Sequence, residues 1–299
     1  MEIGIHLPQA GRYASAPDVL RAARGAEDLG FGSVWLYDHL MTPRTSRSRY
    51  PGTADGRYPL EPEEPYLDAV ALMGALAVAT TRVTFGVRVL VAALRHPVVL
   101  AKELATIDVV AGGRMTLCVG AGWMAEEFDA VGIGEQRRFA RMDEHIAVMH
   151  NAWRSGVAAF DGEFYSHVEA GFAPRPPRGD IPVLVGGITD AALQRAARYG
   201  DGWAAMVPNT QEGTGHLAIP AEALAPRLAL LRELWEAEGR VGEPQVIAHA
   251  STRDAVEAFT TYAELGVTTV DLVVWGDADR VLREAESFIA RVGPEIGFG

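Results

Sequence analysis

An α/β fold of the (β/α)8 TIM-barrel type, with insertions at its C-terminal mouth, is predicted by three observations. Eight short apolar runs alternate with segments of helical periodicity from one end of the chain to the other. No long Pro/Ser/Gly-rich linker divides the 299 residues. An apolar content of 48% fills one large core at this length. A single domain spanning residues 1–299 is therefore expected.

Strands are predicted at Ile3 to Leu7, Ser33 to Tyr37, Val83 to Leu90, Met115 to Val119, Val183 to Val185, Gly202 to Met206, Gln245 to Ala250 and Thr269 to Trp275. Each is rich in β-branched or bulky apolar residues and bounded by Gly, Pro or charged residues. Helices are predicted at Pro17 to Leu29, Tyr66 to Ala79, Pro97 to Val110, Arg141 to Arg154, Asp190 to Tyr199, Ala221 to Glu238, Arg253 to Leu265 and Asp279 to Val292. Asp18 near the first, and Ser251-Thr-Arg-Asp254 before the seventh, read as start signals. Three connections exceed what a barrel needs. Residues 41–65 carry Arg44, Arg47, Arg49 and Arg57 and read as a solvated loop or as a lid that contacts anions. Residues 157–182 contain Phe160-Asp-Gly-Glu-Phe-Tyr165, a hairpin insertion, and residues 207–220 are polar and read as a mobile loop.

Composition narrows the function. A formal charge of −12 and a pI near 5.1 argue against nucleic-acid and anionic-membrane partners. No apolar run reaches spanning length, and the opening Met1-Glu-Ile-Gly-Ile-His-Leu7 reads as a strand rather than a signal peptide, so a cytoplasmic location is expected. Cys118 is the single cysteine and is expected to be buried and inert. Lys102 is the single lysine and falls in a helical run, which removes Schiff-base chemistry at a strand end.

In a barrel of this type chemistry collects at the C-terminal ends of the strands. The residues expected there are His6, Gln9, Tyr37, Asp38, His39, Arg88, Leu90, Gly120 to Trp123, Gly186 to Thr189, Met206, Pro208, His249 and Trp275. Asp38 and His39 stand out, because imidazole moves protons near neutral pH and a neighbouring carboxylate can orient it. The pair is the candidate acid/base. Val185-Gly-Gly-Ile-Thr-Asp190 closes a strand and opens a helix; Gly186, Gly187, Ile188 and Thr189 are candidates to hold a phosphate on backbone N–H groups. Asp190 would repel a phosphate unless its side chain turns away. Gly120 and Gly122 leave room for a planar ring, with Trp123 as a pocket wall or core filler. Arg88 lies in an apolar strand and must reach either an anion or the outer surface. His6, Gln9, Tyr37, Trp123, Met206 and Trp275 are assigned to a substrate pocket of apolar and aromatic character with a polar anchor. No metal ligand set is assigned, because no compact His/Asp spacing is visible.

Several segments in this order resemble the luciferase-like monooxygenase superfamily, specifically its F420-dependent oxidoreductase branch. They are Ile3-Gly-Ile-His-Leu-Pro-Gln9, Ser33-Val-Trp-Leu-Tyr-Asp-His39, Arg95-His-Pro-Val-Val-Leu-Ala-Lys102, Val119-Gly-Ala-Gly-Trp123, Phe160-Asp-Gly-Glu-Phe-Tyr165 and Ala196-Ala-Arg-Tyr-Gly-Asp-Gly-Trp203. The resemblance implies a barrel, commonly homodimeric, that binds the deazaflavin F420 or alternatively FMN. It places the cofactor ring over a bulge in the third strand with a non-prolyl cis peptide, mapped to Arg88-Val89, and flanks the reactive ring face with Asp38 and His39. It places the cofactor phosphate on Gly186 to Thr189. The implied reaction is hydride transfer between deazaflavin C5 and a small organic substrate bearing a C=C, C=O, imine or alcohol group. The alternatives are a monooxygenase fed reduced FMN by a partner reductase, and a flavin-binding protein without turnover. Sugar-phosphate-oxidising relatives carry a glutamate where this chain has Trp123, and lysines that this chain lacks, so a substrate other than a sugar phosphate is implied.

Overall fold

The computed structural model describes residues 1–53, 55–205 and 220–297. Eight parallel strands close into a barrel: β1 (Glu2–His6), β2 (Ser33–Leu36), β3 (Thr84–Leu90), β4 (Leu117–Val119), β7 (Val183–Gly187), β8 (Gly202–Ala205), β9 (Gln245–Ser251) and β10 (Thr269–Val273), in the cyclic order β1-β10-β9-β8-β7-β4-β3-β2. The remaining pair, β5 (Val157–Asp161) and β6 (Ser166–Gly171), forms the expected hairpin outside the barrel. Helices α1 (Ala16–Asp28), α2 (Ala69–Ala79), α3 (Pro97–Ala111), α5 (Arg138–Ser155), α6 (Asp190–Tyr199), α7 (Ala221–Ala237), α8 (Val256–Leu265) and α9 (Ala278–Ile296) follow the strands, with a short α4 (Ala125–Ala130) after β4 that the periodicity does not predict. No helix among the described residues is long and apolar enough to cross a membrane. Met206 and Pro208, and nearly all of the loop expected over 207–220, lie outside the described residues.

Local chemistry sets the boundaries. Ser15 caps α1 by accepting from Asp18 N, and Asp68 caps α2 by accepting from Ala71 N, so α2 starts after Tyr66 rather than at it. Ser251 to Asp254 do not cap α8; they fold on themselves in a turn, with Asp254 Oδ2 accepting from Ser251 N at 2.7 Å, and the helix starts at Val256. Lys102, on α3, donates to the carbonyl of Ala173 far from any barrel-strand end.

Three apolar clusters hold the molecule: the largest lies between strands and helices, a second fills the barrel with Trp35, Cys118, Leu184, Ala204 and Ile247, and a third joins Val91, Ala93 and Leu94 to Phe128. Burial pushes the Cys118 thiol up to about 12, as expected of an inert core cysteine. Parallel register places His6 beside Trp35, Arg88 beside Cys118 and Asp271 beside His249. Paired residues of neighbouring strands face the same side, so four polar side chains enter the barrel interior next to its apolar filling.

At the opposite end of β3, Glu27 gathers a loop. Its carboxylate accepts from the backbone N–H groups of Thr81, Arg82 and Val83 at 2.6–3.1 Å, and these bonds outweigh its desolvation to hold its pKa near about 2. A depressed folded pKa contributes stability above the ordinary carboxylate range that is lost as pH falls through about 2. Glu27→Gln should lower unfolding free energy at pH 7 by about 1–3 kcal/mol. Urea unfolding at several pH values should show the deficit shrinking towards pH 2. A deficit equal at pH 7 and pH 2.5 would contradict this origin.

Candidate active site at the barrel mouth

The residues that follow β2 divide between two partners. Asp38 is buried and spends its carboxylate on Arg95, at 2.8 and 2.9 Å, and on Val91 N at 2.9 Å. It ties the end of β2 to the segment after β3 and does not orient His39, as the sequence reading had it. The carboxylate on His39 is Glu127 of α4: Oε2 lies 3.0 Å from Nδ1, and Oε1 accepts from Leu40 N at 2.5 Å. Contact with a carboxylate oxygen fixes the imidazole with its proton on Nδ1 and its lone pair on Nε2. Nε2 makes no hydrogen bond to any described residue.

Aromatic rings enclose that imidazole. Tyr58, Tyr66 and Trp123 stand at 5.0–5.6 Å from its centroid, and Tyr50 packs on Trp123 at 5.1 Å. Two of these rings come from the long connection over 41–65, which thus closes over the mouth with tyrosines. Of its arginines, Arg44 pairs with Glu63, Arg47 with Asp129 at 2.7 Å, and Arg49 donates to the carbonyl of Asp55 at 3.2 Å. Those three are already engaged within the protein.

A second group converges inside the barrel from β1, β3, β9 and β10. Asp271 Oδ2 is 2.5 Å from His6 Nε2 and 2.8 Å from His249 Nδ1, while Oδ1 is 2.8 Å from Arg88 Nη1. Arg88 also donates to the carbonyl of Ala205 at 2.7 Å. Of the two options left by the sequence, an anion or the outer surface, its side chain reaches an anion, the interior carboxylate of Asp271. The Arg88 guanidinium and the two imidazoles hold Asp271 well below the usual carboxylate range, against its desolvation. Burial lowers both histidines, His249 to about 4, so both are neutral at pH 7. The nitrogen and oxygen atoms of His6, His249 and Asp271 lie within 4.8 Å of one another, a spacing that a cation uses. Arg88 already supplies the positive charge there, which opposes a second one.

The expected pocket residues separate accordingly. His6 is buried beneath Tyr37, which stacks on it at 4.2 Å and 14°. Gln9 is fully buried and bonds the backbone of Tyr37 and Leu67, so it supports the mouth without lining it. Tyr37 and Trp275 stand parallel, 5.8 Å apart, and Trp275 is half exposed. A Cβ on Gly120 or Gly122 would strike Val89 or Val91 at 2.7 Å, so the end of β3 and the residue after it pack directly on these glycines. The Arg88-Val89 peptide is cis, and the β3–β4 register shifts there.

At the end of β7, Gly187 has φ +141° and a Cβ would lie 2.7 Å from Ala192 Cβ, so only glycine fits. Thr189 caps α6 through Ala192 N, Ile188 is exposed, and Asp190 turns away to Arg227. The obstacle that Asp190 posed to an anion is thereby removed. Arg195 of α6 and Asp143 of α5 bond at 3.0 Å, each five residues from its helix start, which sets the two N-termini side by side. On α5 the Nε groups of Arg138 and Arg141 are buried without a partner.

Sequence reasoning missed Glu127, Asp271, Arg95, Tyr50 and Tyr58. A charge at an inward position of an apolar strand was the signal for Asp271, since Arg88 requires a counter-charge. Glu127 carried only the weak signal of an acidic pair opening a short helix.

A family model described as luciferase-like monooxygenase matches residues 1–290. An uncharacterized protein of Mycobacterium tuberculosis (strain ATCC 25618 / H37Rv) is 30% identical over 277 residues, 92% of each chain. An F420-dependent glucose-6-phosphate dehydrogenase of Nakamurella multipartita is 32% identical over 187 residues, 60% of this chain and 49% of that one. Among solved structures, an F420-dependent secondary alcohol dehydrogenase in complex with an F420-acetone adduct superimposes with a TM-score of 0.76 at 17% identity, covering 97% of this chain and 98% of that one. The monooxygenase RslO1 of Streptomyces bottropensis gives 0.75 at 20% identity, covering 99% of both.

Proposed function

The chain belongs to the luciferase-like monooxygenase family of oxidoreductases, and from that membership and the geometry of the mouth we propose that it is an F420-dependent oxidoreductase acting on a small organic substrate. The observation that carries this reading is His39, fixed by Glu127 and enclosed by aromatic rings with Nε2 unpaired among the described residues. The F420-dependent dehydrogenase among the relatives supports the deazaflavin over FMN.

The residues fit such a cofactor. The buried, unpartnered Nε groups of Arg138 and Arg141 stand at the start of α5, beside the α6 N-terminus, whose Asp190 is engaged by Arg227. A polyanionic tail would take these donors together with the backbone of Gly186, Gly187, Ile188 and Thr189. The backbone at Arg88 and Val89 would support the ring. When bound, the deazaflavin exchanges a hydride with the substrate carbon.

The protein's own part is proton handling and position. His39 Nε2 accepts the hydroxyl proton of an alcohol as its carbon is oxidised, or returns a proton to oxygen, carbon or nitrogen in the reverse direction. Glu127 keeps the imidazole in the competent tautomer. Tyr50, Tyr58, Tyr66 and Trp123 exclude water from the proton path and give the pocket an apolar, aromatic character. A homodimer accompanies this reading as an expectation of the family, and a cytoplasmic location as an expectation of the acidic sequence.

Equilibrium titration with F420 and with FMN, followed by absorbance and fluorescence, tests the reading. Selective F420 binding and hydride transfer with enones, imines or alcohols is the expected result. Selective FMN binding would replace it with an oxygen-activating enzyme served by a reductase, and cofactor binding without turnover would leave a binding protein. Gly187→Ala should weaken cofactor binding about tenfold or more, equivalent to about 1.4 kcal/mol. Unchanged affinity would remove the β7 end from the phosphate site.

A further inference from the structure

We propose that His249 is a specificity-determining residue that accepts, through Nε2, a hydrogen bond from a hydroxyl or N–H group of a planar ligand in the mouth. It rests on the reading above only in taking the mouth as the substrate site. Four observations carry it.

Within the interior cluster every member but one is sealed: the side chains of Arg88 and Asp271 are 0% exposed and His6 is 1% exposed, whereas His249 is 19% exposed. His249 alone reaches out of the cluster. Its Nδ1 lies 2.8 Å from Asp271 Oδ2, an ion-pair contact off the hydrogen-bond direction, and a nitrogen that close to a carboxylate oxygen carries the proton. Nε2 consequently presents a lone pair, and no hydrogen bond joins it to a described residue.

Charge keeps the ring in that form. Asp271 is balanced by Arg88 on its other oxygen, so the cluster is neutral with both imidazoles uncharged, and protonating His249 would place a second cation near Arg88. The outward nitrogen is an acceptor and not a donor. A ligand carbonyl finds nothing there, while a phenol, carbinol or N–H does.

The neighbouring wall selects shape. His6 lies 5.6 Å from His249 and continues into Tyr37 and Trp275 with interplanar angles of 14° and 3°. These nearly parallel rings end in the exposed Trp275, a surface on which a flat ligand stacks while its donor meets Nε2. His39, just past the end of β2 and three strands away, remains the group for the reacting atom; His249 reads a polar group elsewhere on the substrate.

Phenol and anisole are the probes, since they share a ring and only phenol donates. Long-range ¹H–¹⁵N spectra of histidine-labelled full-length protein should show His249 in the Nδ1–H tautomer, with its Nε2 resonance shifting on phenol and not on anisole. Phenol should bind about tenfold more tightly, a preference falling to within about twofold in His249→Phe. Equal binding of the two probes, a preference that persists in His249→Phe, or an Nε2–H tautomer in the unmutated protein would each overturn the proposal. The tautomer and the probe ratio are read on the native protein, so they decide even where the variant fails to fold. Failure of F420 to bind in the separate titration would remove the cofactor reading and leave this result standing.

Discussion

His39→Ala is expected to lower kcat by about 10²–10⁴-fold, the ordinary contribution of a positioned general acid/base, while leaving the Kd for F420 within about threefold. The split matters, because a residue that only shaped the cofactor site would move both. Glu127 should behave as a positioning residue. Its two oxygens serve His39 Nδ1–H on one side and the N–H groups of Leu40 and Met41 on the other, and glutamine offers one acceptor oxygen for both sides. Glu127→Gln should therefore cost about 10- to 100-fold in kcat, the usual penalty for losing the partner that orients an imidazole. In the His39→Ala background the same substitution should add little, since the group it positions is gone. Stopped-flow reduction or oxidation of the bound cofactor reads the step directly. Full activity in His39→Ala, or additive losses in the double variant, would detach the pair from the chemistry.

That prediction names a residue that the sequence did not disclose, and the reason is physical. The barrel was legible because its strands are short apolar runs and its helices carry 3.6-residue periodicity, so Ile3 to Leu7 and Thr269 to Trp275 are visible within two residues of the observed β1 and β10. Strand ends then located Tyr37, His39 and the Gly186 to Thr189 turn without any knowledge of contacts. Partnerships were another matter. Asp38 adjoins His39 in sequence, but consecutive side chains leave an extended segment in opposite directions, and Asp38 turns to Arg95 as His39 turns to Glu127. Contacts across 57 and 88 positions depend on how the segments after β3 and β4 fold back, which periodicity does not encode. Arg88 shows the same limit: its presence in an apolar strand was evident, and its counter-charge, 183 residues later on a strand three places round the barrel and met only across the closed interior, was not.

The interior cluster should dominate the response of stability to mutation. Arg88→Met leaves the buried Asp271 carboxylate with two neutral imidazoles and no cation, and Asp271→Leu leaves a buried guanidinium with the carbonyl of Ala205 as its remaining partner. Breaking a fully buried pair in this way costs about 3–5 kcal/mol for each single substitution. The double variant should lose clearly less than the sum, because neither charge is then stranded, yet it should not recover fully: the N–H groups of His6 and His249 still lose their acceptor, at about 1–3 kcal/mol each. Protons give an independent reading. Both histidines titrate lower in the folded protein than in the unfolded chain, whose imidazoles take up protons from about pH 6.5 downward. Stability conferred above that pH is lost as pH falls towards about 4, where His249 itself charges. The depressed Asp271 adds a loss that begins only below the ordinary carboxylate range. Urea unfolding of the native protein should accordingly weaken between pH 7 and pH 4, and His249→Gln should flatten that slope even as it lowers stability at pH 7. Strictly additive single and double variants, or a slope unchanged by His249→Gln, would mean that the four side chains do not act as one ion-paired unit.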